Sequence, residues 1–86
     1  MHTTVRTHTL ARMSKAPEIK IHHRMRIARE EAGFEQGQLA ELVGVSRNTI
    51  SAAEKGRTAP RRILINAWAV ACDVPVDWLI TGETQT

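Results

Sequence analysis

Apolar residues recur along this 86-residue chain at helical spacing, in five short segments separated by glycine, proline or small polar residues. Between Ile19 and Ala32, the residues Ile21, Met25, Ala28 and Ala32 share one stripe, with Ile27 beside it. This pattern leaves Arg24, Arg26, Glu30 and Glu31 for water. Gly33 ends the first helix, and Phe34, the only phenylalanine, is placed to plug a core. A second helix runs from about Gln36 to Val43. A third begins behind Ser46, a strong cap for the free N–H groups of a helix start, and ends at Gly56. A fourth has Pro60 in its first turn, where the missing N–H is not needed. Its expected buried stripe is Ile63, Leu64, Ala67, Trp68 and Ala71, with Cys72 near the end. A last short helix follows Pro75, carries Asp77 in its first turn where the helix dipole favours it, and stops at Gly82. No stretch alternates with the period of a strand and no repeat is present, so the expected fold class is all-α.

The spacing between the second and third segments is the most informative feature. Ala40 is small where two helices must cross closely, and Gly44 lies four residues later, where the chain must turn through a left-handed conformation. Ile50 can then pack back on Ala40, with Leu39, Leu42, Val43 and Val45 completing the seam. This is the spacing of a helix-turn-helix, whose second helix enters the major groove of DNA. Gly37 is a weak point, since glycine in a helix costs roughly 1 kcal/mol against alanine, less in a first turn.

Charge sharpens this picture. The whole chain carries a formal +3, but residues 46–62 alone carry +4 (Arg47, Lys55, Arg57, Arg61 and Arg62 against Glu54) and residues 63–86 carry −3. Positive charge thus gathers in and just after the third helix, where a phosphate backbone would lie. Trp68 lies on the apolar stripe and reads as core. Cys72 is the only cysteine, which rules out an intrachain disulfide and fits a reducing, cytoplasmic setting. No apolar run approaches the ~18 residues of a membrane span. His22 and His23 are neighbours on different helix faces, so no metal site is expected, and no cofactor either. Residues 1–18, rich in Thr, His and Arg, read as a flexible basic arm; residues 19–82 form the domain; residues 83–86 are a tail.

Taken together, several stretches resemble the Cro/CI-type helix-turn-helix family of phage repressors and bacterial regulators. They are Arg29-Glu30-Glu31-Ala32-Gly33-Phe34, Gln36, Leu39-Ala40, Gly44-Val45-Ser46-Arg47-Asn48-Thr49-Ile50-Ser51, Glu54-Lys55-Gly56-Arg57, Pro60, and Trp68 to Leu79. The resemblance covers about residues 19–82 and implies a compact five-helix, lambda-repressor-like domain that binds double-stranded DNA. It implies that Gln36 touches a phosphate and braces the first residue of the recognition helix. It also implies that Arg47, Asn48, Ser51 and Ala52 read base edges, that Lys55 and Arg57 hold phosphates, and that Arg29 and Glu54 form a buried ion pair. Departures from the family pattern are Glu35 at the usual Ser/Thr cap, Gly37, and the short Ala52, which is limited to an apolar touch on a thymine methyl.

The residue chemistry is consistent with that role. The fork of Arg47 matches guanine O6 and N7, and Asn48 can pair with adenine. Ser46 opens the helix, while the hydroxyls of Thr49 and Ser51 can reach a phosphate or base. Arg61, with Arg62 less clearly, adds sequence-independent attraction. A homodimer on a near-palindromic site is expected, with Trp78, Leu79 and Ile80 as the candidate dimer surface. The leading reading is a phage Cro or immunity repressor; the alternative is a DNA-binding antitoxin with a toxin partner. No nucleophile–base set, paired carboxylates in a cleft, phosphate loop or metal spacing suggests an enzyme.

Overall fold

The computed structural model describes residues 16–84. Among these residues five helices follow one another with no strand: α1 (Ile21–Glu31), α2 (Gln36–Val43), α3 (Arg47–Glu54), α4 (Arg62–Cys72) and α5 (Val76–Thr81). The all-α, five-helix architecture is the one the spacing predicts. Most of the expected arm (residues 1–15, with Arg6, Arg12 and Lys15) and the end of the expected tail (residues 85–86) lie outside the described residues.

Local chemistry sets most helix ends. The Ser46 Oγ accepts a hydrogen bond from the Thr49 N–H at 3.1 Å, satisfying one of the free donors at the start of α3. Gly44, at φ 79°, closes α2 by donating its N–H to the Ala40 carbonyl at 2.9 Å. Glu35 precedes α2 in a capping-box arrangement, in which the Gln38 Oε1 reaches back to accept the Glu35 N–H at 2.8 Å. Asp73 ends α4 in the left-handed region at φ 58°, which Asp tolerates better than most side chains. One boundary differs from the sequence reading. Arg61 is the residue flanking α4, so Pro60 sits just before the helix and not in its first turn.

The core lies where α1, α2 and α3 meet α4 and α5. Met25, Leu39, Ile50, Trp68 and Leu79 are its largest fully buried side chains. Each aliphatic one contributes about 1.5–3 kcal/mol on burial. Trp68 is a core residue as expected, and its indole N–H donates to the Met25 carbonyl at 2.9 Å, tying α4 to α1.

Several faces turn the other way from what the periodicity suggests. Arg24, expected in water, is only 8% exposed. Its Nε donates to the Leu79 carbonyl at 2.9 Å, its Nη2 to the Ile80 carbonyl at 2.8 Å, and its Nη1 to the Ile19 carbonyl at 2.7 Å. A cation thus satisfies the orphan carbonyls at the C-terminal end of α5. Leu42 and Ile63, expected in the buried seam and stripe, are 59% and 78% exposed. The face of α4 that packs inward carries Ile65, Trp68, Ala69 and Cys72 instead. Leu79, grouped with Trp78 and Ile80 as a dimer surface, is fully buried. It packs among core residues, while Trp78 and Ile80 are half-buried against that same core. A side chain with no exposed area cannot form an intersubunit contact, so Leu79 is a core residue.

Candidate nucleic-acid interface

The third helix has two contrasting sides. Ile50, Ala53 and Glu54 are buried, and Arg47, Asn48, Thr49 and Lys55 are exposed, with Ser51 and Ala52 between the two states. Asn48, Ser51, Ala52 and Lys55 follow one another at spacings of three, one and three, which puts them on a single outward face. Ser46 and Thr49 share a hydroxyl–hydroxyl contact of 2.9 Å, so both hydroxyls are engaged at the helix start.

The buried side of α3 is held by a charge network. Arg29 on α1 donates through Nε to Glu54 Oε2 at 2.5 Å and through Nη2 to Glu54 Oε1 at 3.0 Å. The same guanidinium donates through Nη1 to the Phe34 carbonyl at 2.7 Å. The Glu54 hydrogen bond raises the Arg29 pKa above its ordinary range, against the opposing effect of partial burial. The pair is enclosed, with side chains only 11% and 4% exposed, so its geometry is fixed more firmly than a surface pair would be. The ion pair expected between Arg29 and Glu54 is therefore present. Gln36 joins it, donating its amide to Glu54 Oε1 at 3.2 Å. It braces the last residue of α3 where the resemblance implied the first.

The remaining expected residues surround this helix. Gln36, Gly37 and Arg47 line one hollow between the starts of α2 and α3. Gln36 and Lys55 line a second, at the far end of α3. Arg61 lines a third together with Thr49. Arg57 is exposed just past Gly56, whose φ of 71° lets the chain turn so that the Arg57 N–H bonds back to the Ala52 carbonyl at 3.1 Å. Two residues absent from the sequence-based set also lie here. Arg26, one helical turn before Arg29, lines the hollow that holds Gln36 and Lys55 and is paired with Glu30 at 3.2 Å. His22 packs on the turn after α3, so close that a Cβ on Gly56 would come within 2.9 Å of its ring. The signal for both was their position on α1 at one and two turns before Arg29, readable once α1 is known to lie along the end of α3.

Two short helices joined at Gly44, the second offering a polar face flanked by cations, define a helix-turn-helix module. The sequence profile of the helix-turn-helix family matches residues 25–79. The chain belongs to the Cro/CI-type helix-turn-helix family of DNA-binding transcription regulators. An uncharacterised HTH-type transcriptional regulator of Methanothermobacter thermautotrophicus is 54% identical over 43 residues, a match spanning 50% of this chain and 62% of that protein. The P22 c2 repressor, solved in complex with a synthetic operator, superposes with a TM-score of 0.69 at 30% identity, covering 74% of this chain and 97% of that one. The restriction-modification controller protein C.AhdI from Aeromonas hydrophila gives a TM-score of 0.67 at 29% identity, covering 72% and 94%. Among the described residues no helix is long and apolar enough to cross a membrane.

Proposed function

We propose that this protein is a sequence-specific regulator of transcription, a Cro or compact immunity repressor, which binds a near-palindromic operator as a cytoplasmic homodimer. One observation carries the reading: α3 keeps Ile50, Ala53 and Glu54 inside, braced by Arg29 and Gln36, and turns Arg47, Asn48 and Lys55 outward, with Ala52 half-exposed on the same face. In the major groove Arg47 pairs with guanine, Asn48 with adenine, and Ala52 touches a thymine methyl. Lys55, Arg57 and Arg61 neutralise phosphates, with Gln36, Ser46, Thr49 and Ser51 adding polar contacts to backbone or base edges. The likeness to the operator-bound P22 c2 repressor over nearly all of that chain supports this reading.

Selection of bound duplexes from a random pool tests it. An inverted repeat should emerge, with half-sites about one helical turn, ~34 Å, apart. Arg47→Ala should relax one position of the half-site by ~1–3 kcal/mol, a loss of about five- to 150-fold in discrimination. Lys55→Ala should weaken all duplexes alike and lower the salt slope by about 0.9. Recovery of no enriched sequence, or unchanged preference in Arg47→Ala, overturns the assignment.

A further inference from the structure

We infer that the outer face of α4, with Leu42 of α2 beside it, is the surface on which a second copy of this chain docks, in antiparallel register. The inference rests on the reading of the protein as a dimeric DNA reader and names the surface that makes the dimer.

Within α4 only the leading Arg62 and Asn66 are polar; every other residue of the helix is apolar, on all sides. A helix of that composition belongs in an interior. Yet only one side is covered here, by α1, α2 and α5. On the opposite side Ile63 is 78% exposed and Val70 is 82% exposed, next to Leu42 at 59%. A cluster of large apolar side chains at such exposure marks an interaction surface.

The pattern on this face selects the occupant. Ile63, Ala67 and Val70 follow at spacings of four and three, the repeat of a helix–helix seam. Val70 stands as a ridge between two shallow grooves, one toward Leu42 and Ala71, the other toward Val74 and Val76. Ridge and groove on a single face are what two identical helices need to interlock. Charge fixes the direction. Arg62 opens α4 and Asp73 closes it, both exposed. When Ile63 of one copy meets Val70 of the other, each Arg62 comes within side-chain reach of Asp73 of the other copy. A parallel pairing would set Arg62 against Arg62. Asn66 falls at the middle, where one polar group in an apolar seam holds register. The face also begins beside the recognition helix, since Ile63 shares a hollow with Thr49 and Arg61. A second copy seated there brings the basic starts of two α4 helices to one assembly.

Sedimentation equilibrium on the whole chain tests the proposal. The wild type should be a dimer at micromolar concentration. Val70→Glu, on an exposed site, should melt like wild type and raise the dimer dissociation constant at least a hundredfold. Arg62→Asp and Asp73→Arg should each weaken the dimer, and the double swap should restore it, an outcome that mere loss of apolar area does not produce. A wild type that stays monomeric to millimolar concentration overturns the proposal. So does a Val70→Glu chain that dimerises as tightly as wild type, or a wild type that stays monomeric until an unlike protein covers this face. A dimer disrupted by Val70→Glu but with no sequence preference for any duplex would uphold the surface and remove the DNA reading; a monomer that still selects one half-site would do the reverse.

Discussion

Two arginines tie the first helix to the ends of other helices, and these two ties differ in chemistry. At one end Arg24 is spent on neutral carbonyls, those of Leu79 and Ile80 at the close of α5. Five residues on, Arg29 meets a full negative charge, Glu54 at the close of α3. The Arg24 tie completes a helix terminus, and its loss exposes carbonyls that water can partly serve. The Arg29 tie is a mutual neutralisation, and loss of either partner strands a charge that has little access to water. The stronger dependence therefore falls on the side that holds α3, where, on the function proposed above, a small displacement would misplace Arg47 and Asn48 against base edges.

The largest expected effect follows from that asymmetry. Glu54→Ala should cost about 3–5 kcal/mol, most of the margin of a small domain, by leaving the largely enclosed Arg29 without its counter-charge. Urea unfolding reads it, and a double variant with Arg29→Met and Glu54→Leu should regain most of the loss. If the single and double variants are equally unstable, the penalty is lost packing and not stranded charge. Arg24→Met should cost less, about 1.5–3 kcal/mol for charge-assisted hydrogen bonds, with α5 amides exchanging first while α2 and α3 stay protected. Uniform loss of protection would mean that the two ties are not separable.

Smaller effects sharpen the contrast on the recognition side. Gly37 lies in the first turn of α2, and a Cβ there meets nothing within 4 Å. Gly37→Ala should raise stability, by up to ~1 kcal/mol. A simultaneous fall in DNA affinity would show that the phosphate backbone approaches this glycine closely, beside Gln36 and Arg47. The smallest effect concerns His22, against the turn that ends α3. Partial burial holds its pKa below the ordinary 6.5, with repulsion from His23 and Lys20 adding to it. The unfolded chain then takes up the proton more readily, so stability declines as pH falls through the ordinary histidine range and levels off below the folded value. His22→Gln should flatten that decline in a series of thermal melts; an unchanged pH profile would remove His22 from the account.

How legible each part was depends on how local its cause is. Ser46 and Gly44 act within a few residues of themselves, and their roles could be read directly. The Arg29–Glu54 pair spans 25 positions and was reached through the resemblance, because nothing local points from one residue to the other. Arg24 is not legible as a buried residue, because a charged side chain on a helix usually faces water and two of its partners lie 55 and 56 positions away. Arg26 and His22 became visible beside α3 only after α1 had been laid along it.

Composition and spacing alone determined five helices, the turn at Gly44, the polar leading edge of α3 and the concentration of positive charge around it, because each depends on backbone preference or on residues in the same segment. Which sides face inward was decided by tertiary packing. Apolar residues run all the way round α4, so its periodicity could not distinguish Ile63, which is exposed, from Ile65, which is buried. Leu79 is enclosed and Leu42 left open for the same reason: burial is a property of the neighbours that arrive, and those neighbours come from distant parts of the chain.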